Sequence, residues 1–227
     1  MKRLALLVLL FPFGCGESIP PPPYVRPGDR PLVRPDAPEM KTKAPERFRV
    51  RFTTSQGDFT ISVVRAWAPL GADRFFNLVR NGFYTDAAFF RVLPRFVAQF
   101  GISARPEVAD AWEDAKIFDD KVAQSNKRGT LTFATSGPNT RTTQIFINYS
   151  DNAGLDGQGF APFGAVTEGM QLVDQFFSGY GEAPDQGRIR QQGKAYLDRN
   201  FPNLDRIVKA EIVREDAPPA PAADAKK

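Results

Sequence analysis

Phe89 to Gly101 reads Phe-Phe-Arg-Val-Leu-Pro-Arg-Phe-Val-Ala-Gln-Phe-Gly, and no other stretch restricts the possible folds as much. It is rich in Phe and Val, breaks at Pro94-Arg95 and resumes at Phe96, the pattern of two strands joined by a tight bend. One arginine stands among the aromatics. A guanidinium stays charged, so enclosing it in apolar side chains is costly unless other groups take its hydrogen bonds. Either Arg91 points to water or it has partners in the fold. Gln99, which a hairpin return brings beside it, is the first candidate.

The remaining strands alternate in the same way. Phe48–Thr54 and Asp58–Arg65 flank Ser55-Gln56-Gly57 and read as a hairpin. Gly129–Thr135, Gln144–Tyr149, Ala161–Glu168 and Lys209–Arg214 are further strands, the last expected to pair with the first hairpin. Pro69–Arg80 carries Leu70, Phe75, Phe76 and Val79 at helical spacing and ends at Asn81-Gly82. Met170–Ser178 reads as a second helix. An additional helix is expected near 186–199, with Asp185 as its N-cap and Ile189, Tyr196, Leu197 and Phe201 forming its apolar stripe. Between Gly101 and Arg128 apolar residues are sparse, and a long surface excursion is expected there. Twenty phenylalanines against two tryptophans and five tyrosines suggest a core of rings that need no hydrogen-bond partner.

Three separated motifs carry a family resemblance: Phe90-Arg91-Val92-Leu93-Pro94 with Phe96-Val97-Ala98-Gln99, then Gly129 to Asn148, then Leu155-Asp156-Gly157 followed by Phe163-Gly164. In this order they resemble the cyclophilin family of peptidyl-prolyl cis-trans isomerases, over about residues 47–213. The resemblance implies a mainly β fold, a closed antiparallel eight-stranded barrel capped by two helices. It places Arg91 at the family's catalytic arginine and Gln99 at the glutamine that orients it. Phe96, Val97, Phe146 and Leu155 match positions lining the proline pocket, and Phe160 fills the place of a missing pocket histidine. Ala134 and Thr135 match the strand along which substrate backbone lies, and Gln144 matches a second glutamine of the groove. The chain departs from the family pattern at Phe90, Phe100 and Gly154, where histidine, glycine and tryptophan are common. The partners implied are proline-containing unfolded or exported polypeptides, with no cofactor. A binding or chaperone module using the same groove with little turnover is the alternative.

The ends of the chain have a different composition. Met1-Lys2-Arg3 precedes the apolar run Leu4–Phe11, which is shorter than the roughly 20 residues of a membrane-spanning helix. Residues 1–14 therefore read as a signal peptide. Cys15, the only cysteine, resembles the lipidated cysteine of bacterial lipoproteins, which implies a protein anchored in the cell envelope, at the outer membrane or in the periplasm. An incidental cysteine near an ordinary cleavage site is the other reading. Residues 15–46 are proline-dense and read as an extended tether, 47–215 as one domain, and 216–227 as a disordered tail. The chain has 30 Lys and Arg against 26 Asp and Glu, scattered, with no nucleic-acid motif. No nucleic-acid partner is expected, the protein is expected to be a monomer, and the absence of histidine leaves no metal site of the usual zinc type.

Overall fold

The first hairpin lies at the centre of one side of the sheet. Its strands β1 (Arg47–Thr54) and β2 (Gly57–Val64) pair in unbroken register from Arg47 opposite Val64 to Thr54 opposite Gly57. Alternation buries Phe48, Val50 and Phe52 on one strand and Phe59, Ile61 and Val63 on the other, as a half-buried strand pattern requires. The computed structural model describes residues 31–213. Within them follow α1 (Pro69–Arg80), β3 (Arg91–Leu93), β4 (Val97–Phe100), α2 (Pro106–Ala111), β5 (Thr130–Phe133), β6 (Ile145–Asn148), β7 (Pro162–Glu168), α3 (Met170–Val173), α4 (Gln186–Asn200) and β8 (Ile207–Val213).

The eight strands form one antiparallel sheet in the order β3-β4-β6-β5-β7-β2-β1-β8. The expected closed barrel is not formed. The sheet curls, but its edge strands β3 and β8 stand 14 Å apart, leaving a half-barrel. Contact is limited to the approach to β3 and the start of β8, through a single bridge of Ala88 with Arg206 and backbone bonds such as Phe89 N–H to the Asp205 carbonyl and Ile207 N–H to the Ala87 carbonyl, both at 2.9 Å. The physical reason lies in β3, which ends after three residues at Pro94, a residue with no N–H to offer a ladder. Packing joins the two sides instead. Phe89 stacks on Phe176 at 4.0 Å between ring centroids, and Phe176 meets Phe59 edge-on at 6.2 Å.

The core is phenyl-rich, with Phe52, Phe59, Phe75, Phe89, Phe100, Phe133 and Phe163 all fully buried. Tyr84 is buried among them, and its hydroxyl donates to the Thr143 carbonyl at 3.2 Å. Burial raises its pKa far above the ordinary tyrosine value.

Several expectations need revision. The second capping helix is a single turn, α3, because the chain tightens after Val173 into bonds to the third residue back, Gln175 to Leu172 and Phe176 to Val173. The sparse stretch after Gly101 contains α2 and the buried Trp112. The tether does not extend to residue 46. Leu32, Met40 and Ala44 are buried, the Trp112 indole N–H donates to the Leu32 carbonyl at 2.6 Å, and Asn77 donates to the Thr42 carbonyl at 2.7 Å. A few apolar residues set between prolines are enough to dock this segment, although they have no period that would announce it. The expected signal peptide, Cys15 and the residues up to 30 lie outside the described residues, as does the whole of the expected tail, 216–227.

The additional helix is present as α4, with Asp185 accepting from the Arg188 backbone N–H at 2.7 Å. Gly193 interrupts it at φ 57° and ψ −139°, which lets the Lys194 N–H reach the Ala104 carbonyl at 2.9 Å. A Cβ at position 193 would collide with that same carbonyl oxygen. Through this contact α4 is fastened over α2 with its own cluster of Phe90, Ile102, Ile189, Tyr196, Leu197 and Leu204.

Candidate functional site

The β3–β4 hairpin brings Arg91 directly opposite Gln99, and β4 and β6 bring Gln99 opposite Phe146. Side chains directly opposite one another share a face of the sheet, and so do those two apart on one strand. Strand register alone therefore sets Arg91, Gln99, Val97 and Phe146 on one face. At the bend, Arg95 takes a left-handed φ of 65° and Phe96 N–H bonds the Leu93 carbonyl at 3.0 Å.

These residues open onto a cavity of about 300 Å³, lined by Arg91, Phe96, Val97, Gln99, Ala134, Thr135, Phe146, Leu155, Gln158 and Phe160. Nine of the ten residues singled out from the sequence meet here. The tenth, Gln144, lines an adjoining cavity of about 420 Å³ that shares Gln99, Ala134 and Thr135 and is bounded on its far side by Arg190 of α4. Phe90 and Phe100, two of the departures from the family pattern, line neither cavity. Phe90 packs beneath α4 and Phe100 belongs to the main core.

The question posed by Arg91 has a structural answer. Its Nε donates to Glu182 Oε1 at 2.6 Å, with Nη2 2.5 Å from the same oxygen. Nη1 donates to Gln99 Oε1 at 3.3 Å, and Gln99 Nε2 in turn donates to Gln144 Oε1 at 2.9 Å. The guanidinium carbon also lies 5.7 Å from the centre of the Phe96 ring, within cation–π range. Gln158 and Glu182 escaped sequence reading. Gln158 closely follows Leu155-Asp156-Gly157 and was within reach of that motif, whereas Glu182 lies in a connection with no periodicity.

The opposite wall is fixed from below. Leu155 belongs to a 3-10 turn, Ala153–Gln158, and Phe160 meets Phe146 edge-on at 5.8 Å. Fully buried Asn126 holds this segment. Its backbone N–H and Nδ2 donate to Asp156 Oδ1 at 2.8 and 2.7 Å, and Nδ2 also donates to the Phe160 carbonyl at 2.8 Å. Its Oδ1 accepts from Thr132 at 2.8 Å and from Asn148 at 3.3 Å. Burial pushes the Asp156 carboxyl up, but hydrogen bonds from Ser125 and from the Asn126 side chain and backbone outweigh it and hold the pKa below the usual carboxylate value.

The site therefore combines a fixed cation, two side-chain amides and an apolar pocket. It can bind an apolar ring and present charged N–H groups to an adjacent polar atom. Among the described residues no grouping of His, Cys, Asp and Glu could hold a metal ion.

Comparison with known proteins agrees with this geometry. Residues 49–194 match the family model described as cyclophilin type peptidyl-prolyl cis-trans isomerase. A peptidyl-prolyl cis-trans isomerase-like 1 of Aspergillus fumigatus is 32% identical over 169 residues, 73% of this chain and 96% of that protein. A peptidyl-prolyl cis-trans isomerase of Acinetobacter baylyi is 36% identical over 132 residues, 56% of this chain and 70% of that one. A crystal structure of a cyclophilin type peptidyl-prolyl cis-trans isomerase from Cryptosporidium parvum shares the fold with a TM-score of 0.56 at 20% identity, covering 75% of this chain and 99% of that chain.

Proposed function

The chain belongs to the cyclophilin-type peptidyl-prolyl cis-trans isomerases and has their enzymatic function, and from that premise we propose that Arg91 is the catalytic residue, with Gln99 orienting it and the apolar wall gripping the proline ring. Rotation about an X-Pro bond faces a barrier of about 18–20 kcal/mol because the C–N bond is partly double. No bond breaks, so catalysis needs only tighter binding of the twisted amide than of either planar form. A ten-thousandfold acceleration asks for roughly 5.5 kcal/mol of such preference.

In the twisted amide the prolyl nitrogen regains its lone pair and accepts a hydrogen bond. Arg91 retains Nη hydrogens beyond those given to Gln99 and Glu182, and a charged donor supplies about 1.5–3 kcal/mol. The remainder falls to Phe96, Val97, Phe146, Leu155 and Phe160, which hold the ring, and to Ala134, Thr135 and Gln144, beside which the flanking chain lies. The observation that carries this reading is the convergence of Arg91 and the apolar residues on one cavity. Arg91→Ala should lower kcat/KM on an Ala-Pro peptide by about a hundredfold or more while the fold survives. An unchanged rate in that variant would move catalysis elsewhere.

We further propose that the substrates are exported polypeptides and that a lipid on Cys15 anchors the protein at the cell envelope. The support is sequence alone, the charged start, the apolar run and the position of Cys15. In a bacterial host Cys15→Ser should release the protein from the membrane fraction, and retention there would refute the anchor.

A further inference from the structure

We infer that Glu182 is a positioning residue for Arg91, supplied by the connection that leads into α4. The inference rests on the catalytic role proposed for Arg91.

A guanidinium on a three-residue edge strand needs restraint, because its long side chain has many rotamers and the reaction asks for one. Gln99 alone restrains it weakly, through a neutral acceptor at 3.3 Å, near the outer limit of a hydrogen bond. Glu182 is the charged partner, and it binds the Nε edge of the fork at 2.6 Å. An Arg held by Nε and one Nη is fixed in plane and in rotation while Nη hydrogens stay available to a substrate. No acidic residue lines the cavity itself. In the adjoining cavity, Glu113 is paired with Arg190 and Asp114 with Lys116. Glu182 is thus the carboxylate that the structure gives to Arg91.

Glu182 is itself held in place. Gly181 N–H bonds the Ser178 carbonyl at 3.0 Å and Ala183 N–H bonds the Tyr180 carbonyl at 2.9 Å, turning the chain on both sides of it. Tyr180 packs edge-on against Phe177 at 4.9 Å and Phe201 at 5.1 Å, and Phe201 against Tyr196 at 5.6 Å. Pro184 is buried, and Asp185 caps α4. The connection is clamped between the sheet and α4, and this gives the additional helix a role beyond covering one end of the sheet. The side chain of Glu182 is 62% exposed, so water screens its charge and its effect is mainly geometric.

The test compares wild type, Arg91→Ala, Glu182→Ala and Glu182→Gln, measuring kcat and KM for an Ala-Pro peptide, the thermal midpoint, and the NMR signal of the Arg91 Nε–H. Loss of orientation should lower kcat about tenfold in Glu182→Ala with KM little changed, since small displacements of a catalytic group cost one to two orders of magnitude. The thermal midpoint should not move. Glu182→Gln keeps an accepting oxygen and should restore most of kcat. The Nε–H signal should be protected from exchange with water in wild type and Glu182→Gln and exposed in Glu182→Ala. If Arg91→Ala abolishes activity while Glu182→Ala is as fast as wild type, the positioning role is wrong and the catalytic assignment stands. A faster Glu182→Ala would make the carboxylate a brake and also overturn the inference. If Arg91→Ala keeps the wild-type rate, the assignment of Arg91 fails and this inference with it.

Discussion

The two walls of the cavity are built by different physics. The apolar wall of Phe146, Leu155 and Phe160 stands on a buried knot in which Asn126 satisfies its amide through backbone and side-chain partners on three segments. The cationic wall joins Arg91, on the short edge strand β3, to buried Gln99 on the neighbouring β4, and is held by side-chain bonds in which Arg91 and Glu182 stay partly exposed. In the first wall, removing one partner strands buried polar atoms and costs stability. In the second, water takes the place of a lost partner, so what is lost is orientation and hence rate. Pocket shape is therefore tied to the folding free energy, and the chemistry is nearly independent of it.

Substitutions divide along that line. The largest effect on stability should come from Asn126→Ala, which leaves Thr132, Asp156, Asn148 and the Phe160 carbonyl without a shared partner. A loss of about 3 kcal/mol is expected in denaturant unfolding, with weakened peptide binding as the Leu155–Phe160 segment loosens. A change below about 1 kcal/mol would mean the wall stands without its knot. Arg91→Ala should do the reverse, removing the rate and leaving unfolding within about 1 kcal/mol of wild type, because the Glu182 carboxylate it leaves behind is 62% exposed and is taken up by water. If its unfolding shifted as much as that of Asn126→Ala, the contrast between the walls would collapse.

The smallest effect should come from acid. The folded pKa of Asp156 lies below its unfolded value, so the carboxylate contributes stability that is fully present above the unfolded value of about 3.9 and is lost as pH falls through the folded one. Asp156→Asn should remove that part of the acid dependence, at under about 1 kcal/mol of stability at neutral pH. Unfolding curves of the two proteins that remain parallel from pH 6 to pH 2 would exclude Asp156 as the source.

Most of the cavity was legible in the chain because it is a product of local pairing. Arg91 and Gln99 are eight residues apart across one bend, and alternation puts Val97 on the same face as Gln99. Phe146 lies on β6 and Ala134 directly follows the end of β5. The capped stripe of α4 was equally readable, and the kink at Gly193 falls at the glycine in the middle of the helix, Gly187 standing in its first turn.

What the sequence by itself determined is the set of strands, the two long helices and the hairpin that pairs an arginine with a glutamine, since each follows from a period or a turn within a few residues. Tertiary structure alone decided three further features. It left the sheet open, because closure depends on how far β3 can run beside β8 before the chain turns at Pro94. It docked residues 31–46 through isolated contacts such as Leu32 with Trp112, 80 residues apart. It also brought Glu182 to Arg91 across 91 residues. Contacts at that separation arise from how packed elements come to rest against one another, and a local pattern of residues carries no record of it.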